Sequence, residues 1–121
     1  GGVLVELVED SAAAALATGG GLQRGDAVLA YLGDPQEKLF GVLHRMDASG
    51  VVLEAVDLSS FDDWIAQVER GEEGIGPSVL FLPIRRVEKL LLDRQSGELP
   101  SLSERFQHRV GRSVQQVLGI R

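Results

Sequence analysis

His44 and His108 are the only imidazoles in this chain of 121 residues, and neither has a second ligand-type residue beside it at metal spacing. A two-histidine metal site would need the fold to unite them, and nothing in their surroundings predicts that. The carboxylates come in two adjacent pairs, Asp62-Asp63 and Glu72-Glu73. A general acid and its base must face one substrate, whereas neighbours on a helix or loop point apart, so both pairs read as solvated surface. The absence of cysteine excludes disulfides, thiolate chemistry and cysteine-ligated zinc. No Gly-x-Ser-x-Gly, Walker loop or dinucleotide fingerprint occurs. Gly19-Gly20-Gly21 lacks a following Lys-Ser/Thr and precedes a strand, which makes it a linker rather than a phosphate cradle. The serines stand without a base. These observations predict a protein that is not an enzyme and needs neither cofactor nor metal.

Charge is unevenly placed. The net charge is −6, yet residues 1–84 carry four basic and fourteen acidic side chains while residues 85–121 carry eight basic and four acidic ones. The plainer expectation is that Arg85, Arg86, Arg105, Arg109 and Arg112 pair with acidic groups of the same or a neighbouring subunit. The sharper one is a local basic patch for phosphate, since clustered Lys and Arg supply most nucleic-acid affinity.

The elements that must position these groups fill one domain, expected over 1–121 with a core at 22–93 and a helical extension at 100–121. Apolar content is 44% and charged content 25%, normal for a globular chain. No apolar run approaches the ~18 residues that cross a bilayer. The opening Val-Leu-Val-Glu-Leu-Val is short and acidic for a signal peptide, so a cytoplasmic address without membrane contact is expected.

Helical spacing of Leu4, Leu7, Val8, Ser11, Ala12 and Ala15 predicts a helix over 3–18, although Val3 to Val8 also alternates as a strand would. Strands are predicted at 26–32, 38–46 and 51–56, separated by the turns Asp34-Pro35 and Asp47-Ala48-Ser49-Gly50. Within the second strand both faces are partly apolar, and Gly41 marks a bend or a close backbone approach. A helix at about 60–70 interrupts the strands. Ser60 and Asp63 resemble a capping box, Phe61, Trp64, Ile65 and Val68 form its stripe, and Gly71 ends it. The lone Trp64 reads as a lid on the core before it reads as a platform for a base. Strands at 78–82 and 87–92 follow, with Pro83 at the corner between them. After the linker 95–100, Ser101-x-x-Glu104 caps a helix over about 102–118, whose stripe is Leu102, Phe106, Val110, Val114 and Val117. Five short strands with these turns predict a mainly β, α+β chain built on a small, strongly bent barrel.

The segment Phe40-Gly41-Val42-Leu43-His44-Arg45-Met46-Asp47 resembles the first motif of the Sm-like family (the Sm and Lsm proteins and Hfq), Gly-x-Leu-x-x-x-Asp, through Gly41, Leu43 and Asp47. The run Val79 to Leu92 resembles the region of the second motif, with Val87 and Leu90 in its closing apolar positions. The likeness covers roughly 26–57 and 78–92 and leaves both later helices outside. It implies an SH3-like or Sm-like barrel and a homo-oligomeric ring in which the fourth strand of one subunit pairs with the fifth of the next. It also implies a base-binding site at the subunit junction, where Asp47 carries over and Arg85 and Arg86 stand near the family's Arg-Gly. Two departures weaken that inheritance: the family's asparagine is Val51 here, and its Arg-Gly falls near Pro83-Ile84. Asp47-Ala48-Ser49 also begins the pattern of the PilZ domain, but its glycine is Val52 here and no Arg-x-x-x-Arg precedes it.

Two functions are therefore expected to compete. One is binding of single-stranded RNA or a nucleotide through Asp47, Arg85 and Arg86. The other is a scaffolding role, in which Phe106, Val110, Val114 and Val117 of the last helix recruit a protein partner.

Overall fold

The computed structural model describes residues 21–72, 74 and 76–120. The helix expected over 3–18 lies outside them. In chain order the elements are β1 (Ala27–Leu32), β2 (Glu37–Asp47), β3 (Gly50–Asp57), α1 (Phe61–Glu69), β4 (Ser78–Pro83), β5 (Val87–Leu92), α2 (Leu102–Val110) and α3 (Val114–Leu118). All five strands form one open antiparallel sheet in the order β4-β3-β2-β1-β5. Each strand stands within one residue of its expected bounds. The chain is α+β.

Strand alternation builds two cores, one on each face of the sheet. Val28, Ala30 and Leu32 of β1 join Leu39, Leu43, Val51, Leu53, Ala55, Leu82, Val87 and Leu90 on the first face. Ala27, Phe40, Val42 and Val56 lie on the second face, beneath Phe61, Trp64 and Ile65 of α1, Phe106 of α2 and Val114 of α3. That double burial is why β2 is apolar on both sides. Its alternation slips once, where the pairing with β3 shifts between Leu43 and Arg45 and leaves His44 as the extra residue. Gly41 sits opposite Ala55 at the closest approach of β2 to β3, where a Cβ would lie 2.7 Å from the Ala55 Cα. The glycine is required by space.

The helices are held onto the second face by aromatic packing. Trp64, only 5% exposed, lies 4.7 Å between ring centroids from Phe106, and Phe61 meets Phe40 edge-on at 5.0 Å. Trp64 is thus a lid on the core, as its position in the stripe predicts. The capping box expected at Ser60 does not form. A 3-10 turn, Leu58–Ser60, leads into α1 and gives Ser60 φ −98° and ψ 1°, away from the extended backbone a capping serine uses.

The helix expected over 102–118 is two helices. Gly111 ends α2 in the left-handed region at φ 83°, and Ser113 with Gln116 forms a second capping box that starts α3. The Ser101–Glu104 box forms as predicted. Asp93, just after β5, accepts the Leu102 and Ser103 N–H groups at 3.0 and 2.7 Å, which fixes the start of α2 against the sheet. Gln115 Nε2 donates to the Gly25 carbonyl at 2.9 Å and ties α3 to the approach of β1. Among the described residues no helix is long and apolar enough to cross a membrane.

Candidate functional site

Asp47 closes the β2–β3 turn by accepting from its neighbour Ser49, at 2.8 Å from the amide and 2.5 Å from the hydroxyl. This is the side-chain turn that aspartate favours. The Ser49 hydroxyl, and then its amide, hold the Asp47 carboxyl below the ordinary carboxylate range. Gly50 completes the turn opposite Pro83, and a Cβ there would meet the Leu82 carbonyl and the Phe81 ring.

The turn meets the β4–β5 corner. Ile84 N–H donates to the Ser49 carbonyl at 3.0 Å, so Asp47 and Arg85 are carried by adjoining backbone. Arg85 is exposed and makes no hydrogen bond or ion pair among the described residues.

Arg86 does not join them. Its guanidinium donates to the carbonyls of Gly33 and of Pro35, the latter at 2.7 Å, and to the Glu37 carboxylate at 3.0 Å. It buckles the corner to the β1–β2 turn, so its guanidinium is engaged there and not beside Asp47. The reason is the 3-10 turn Ile84–Arg86, which sends consecutive side chains in different directions. Arg86→Ala is expected to cost about 1.5–3 kcal/mol, the range for hydrogen bonds to a charged group. Arg86→Lys is expected to recover only part, because an ammonium lacks the planar fork. Denaturant unfolding of both variants checks this.

Besides Arg86, two arginines of the basic tail are paired within the chain. Arg105 pairs with Asp62 at 2.8 Å and lies over the Phe61 ring, and Arg109 pairs with Glu69, joining α2 to α1. Exposed pairs of this kind contribute at most ~1 kcal/mol each, but they remove two arginines from any phosphate patch. The stripe expected to capture a partner is likewise committed. Phe106 and Val114 are fully buried, and Val110 and Val117 pack half-buried against the same core. The last helices cover the sheet because their apolar faces match its second face.

Neither histidine finds a metal-binding set. His44 Nε2 stands 3.1 Å from Glu54, half-buried on β2 and β3, while His108 is exposed on α2. Among the described residues no group of three His, Cys, Asp or Glu converges. An open depression lined in part by Tyr31, Lys38, Asp57 and Glu88 carries mixed charge.

The surface that residue-by-residue reading overlooks is the outer side of β4. Val79 is 62% and Phe81 53% exposed, on one face, with Val52 opposite Phe81 on β3. The strand Ser-Val-Leu-Phe-Leu-Pro carries no charge at all. It also forms one edge of the sheet. Since Ile84 N–H points toward β3, the alternation of an antiparallel ladder turns Leu82, Leu80 and Ser78 the same way. The N–H and C=O of Val79 and Phe81 then face the open edge.

Comparisons with family models, curated proteins and solved structures find no match. In chemical terms the chain offers two surfaces. The Asp47–Arg85 corner presents one carboxylate, held by Ser49 and paired with Arg45 at 3.7 Å, and two exposed arginines, Arg45 and Arg85. Among the described residues the β4 edge presents two unpaired backbone donor–acceptor sets beside two large apolar side chains, the combination that other strands pair with.

Proposed function

We propose that this chain is a non-enzymatic assembly module, a small Sm-like barrel that joins other copies of itself along the edge of its sheet. The observation that carries the reading is β4, an edge strand with no charge and with Val79 and Phe81 exposed. Natural edges are blunted by lysine, proline or inward charge; β4 carries no charge, and its one proline, Pro83, is its last residue.

A strongly bent, barrel-like curl that leaves β4 and β5 as edges is supported by the first core. All five strands contribute to it, Val28 and Leu53 are fully buried, and none of its described members comes from a helix. A sheet hides a face without a covering layer by curling on itself. The Sm-like assignment is supported by the work of its three motif residues. Gly41 permits the close approach of β2 to β3, Leu43 is buried in the first core, and Asp47 closes the turn.

A second reading, RNA binding at the Asp47–Arg85 corner, is favoured by the Ile84–Ser49 hydrogen bond that brings those loops together. It rests on two exposed arginines at that corner, Arg85 and the Arg45 that pairs with Asp47, in a chain of net charge −6. Strong phosphate binding uses several cations, so assembly ranks first.

Light scattering on the purified chain, with its ultraviolet absorbance, separates the two. Assembly predicts a mass above one chain that grows with concentration, without bound nucleic acid. Co-purified RNA, with binding to a short single strand lost in Arg85→Ala, would establish the second reading. One chain mass at every concentration would defeat the first.

A further inference from the structure

We infer that two copies of this chain join β4 to β4, antiparallel, about a two-fold axis through Leu80. The inference rests on the assembly reading and specifies which edge meets which.

The segment Pro77-Ser78-Val79-Leu80-Phe81-Leu82-Pro83 is nearly symmetric about Leu80. Laid antiparallel on itself in that register, it sets Val79 opposite Phe81 of the second copy and Phe81 opposite its Val79. Leu80 faces Leu80, and each Pro77 faces a Pro83. This register satisfies the backbone as well as the side chains. Residues opposite one another exchange hydrogen bonds at every second position. Val79 and Phe81 are the two whose N–H and C=O face the open edge, and here they face each other. Each Val79–Phe81 pair exchanges two bonds, and the dyad repeats the set. The prolines, which lack a donor, bracket the ladder at both ends and stop it there.

Side-chain chemistry agrees. Across an antiparallel pair an aromatic opposite a β-branched residue is among the favourable combinations. The pairing covers the outward Val79 and Phe81 of both copies with one another.

Charge selects this partner over the other edge. β5 is Val-Glu-Lys-Leu-Leu-Leu, with Glu88 and Lys89 exposed. Lys89 stands opposite Tyr31 of β1, and Leu91 opposite Leu29, so these two side chains lie on the sheet face that also carries Val79 and Phe81. Docking β4 there would set a lysine into the row beside Phe81 and Val79. Docking β4 on β4 brings no charge into the contact. It is also isologous, so it closes at two copies, whereas a β4–β5 contact repeats as a ring or filament. Each copy carries a net charge of −6, so added salt should tighten the pair by screening the repulsion between the bodies.

The chain has no cysteine, so one introduced thiol reports on itself alone. Leu80→Cys, exposed to a mild oxidant, is expected to give a disulfide-linked dimer, because the dyad sets residue 80 against its own copy. Val79→Lys with Phe81→Lys, both at exposed positions, should leave the circular dichroism unchanged. The lysine pair should reduce the mass in solution from two chains to one and, added to Leu80→Cys, abolish the cross-link. The lysine variant without the cysteine keeps the test valid if Leu80→Cys disturbs the fold. Assemblies larger than two, or a wild-type assembly that the lysine pair leaves intact, would overturn the β4–β4 pairing and leave the assembly reading standing. A wild-type mass of one chain at all concentrations would overturn both.

Discussion

Phe106→Ala is expected to lower the free energy of unfolding by about 3–5 kcal/mol, the cost of removing a buried aromatic ring from a packed core. Phe106 is fully buried, and its ring lies 4.7 Å from that of Trp64, which in turn packs near Phe61. Deleting it opens a cavity at the centre of the contact between α1, α2 and the sheet. The surrounding groups cannot readily collapse into that space. Asp93 and the Ser101–Glu104 box hold the start of α2, while the pairs Arg105–Asp62 and Arg109–Glu69 hold its flank against α1. Domains of this size have total stabilities of about 5–15 kcal/mol, so the variant should be near the limit of folding. Urea unfolding should show a lower midpoint with an unchanged slope. An unaltered midpoint would mean that Phe106 serves an external partner, as its sequence stripe alone allows.

Gly41→Val is expected to be at least as severe, above about 3 kcal/mol, through overpacking rather than a cavity. A Cβ at this position falls 2.5 Å from the Ala55 Cβ and also onto the Glu54 carbonyl. These are strand atoms held in the ladder, which cannot swing aside as a long side chain would. The clash lies between the central strands β2 and β3, so relief requires them to part. Loss of soluble folded protein, or a denaturation midpoint far below wild type, is the predicted result. A stable valine variant would refute the close approach.

Much of this fold was readable because β-strands announce themselves twice, by alternation and by the turns that bound them. Asp34-Pro35 and Asp47-Ala48-Ser49-Gly50 bracket β2 so tightly that its bounds shift by one residue at each end. The break in the last helix was not read, for a geometric reason. Leu102, Phe106, Val110, Val114 and Val117 keep a helical step across Gly111, so one helix or two give the same stripe. The signals that decide it, a glycine followed by Ser113-x-x-Gln116, are local and polar. For Arg85 and Arg86 the sequence shows only adjacency. Their opposite fates depend on a three-residue 3-10 turn and on carbonyls near residue 34, some fifty positions earlier. The neutrality of β4 was legible, but its meaning was not, because an apolar strand in the middle of a sheet is unremarkable. Only the order β4-β3-β2-β1-β5 places it at an edge.

Amide hydrogen exchange at Val79 and Phe81 tests edge assembly most directly. Among the described residues of a single chain these N–H groups have no partner, while those of Leu80 and Leu82 face β3. Assembly through β4 predicts that exchange at Val79 and Phe81 slows as protein concentration rises, to rates like those of Leu80 and Leu82. Fast exchange at both residues at every concentration, with Leu80 and Leu82 protected throughout, would contradict it.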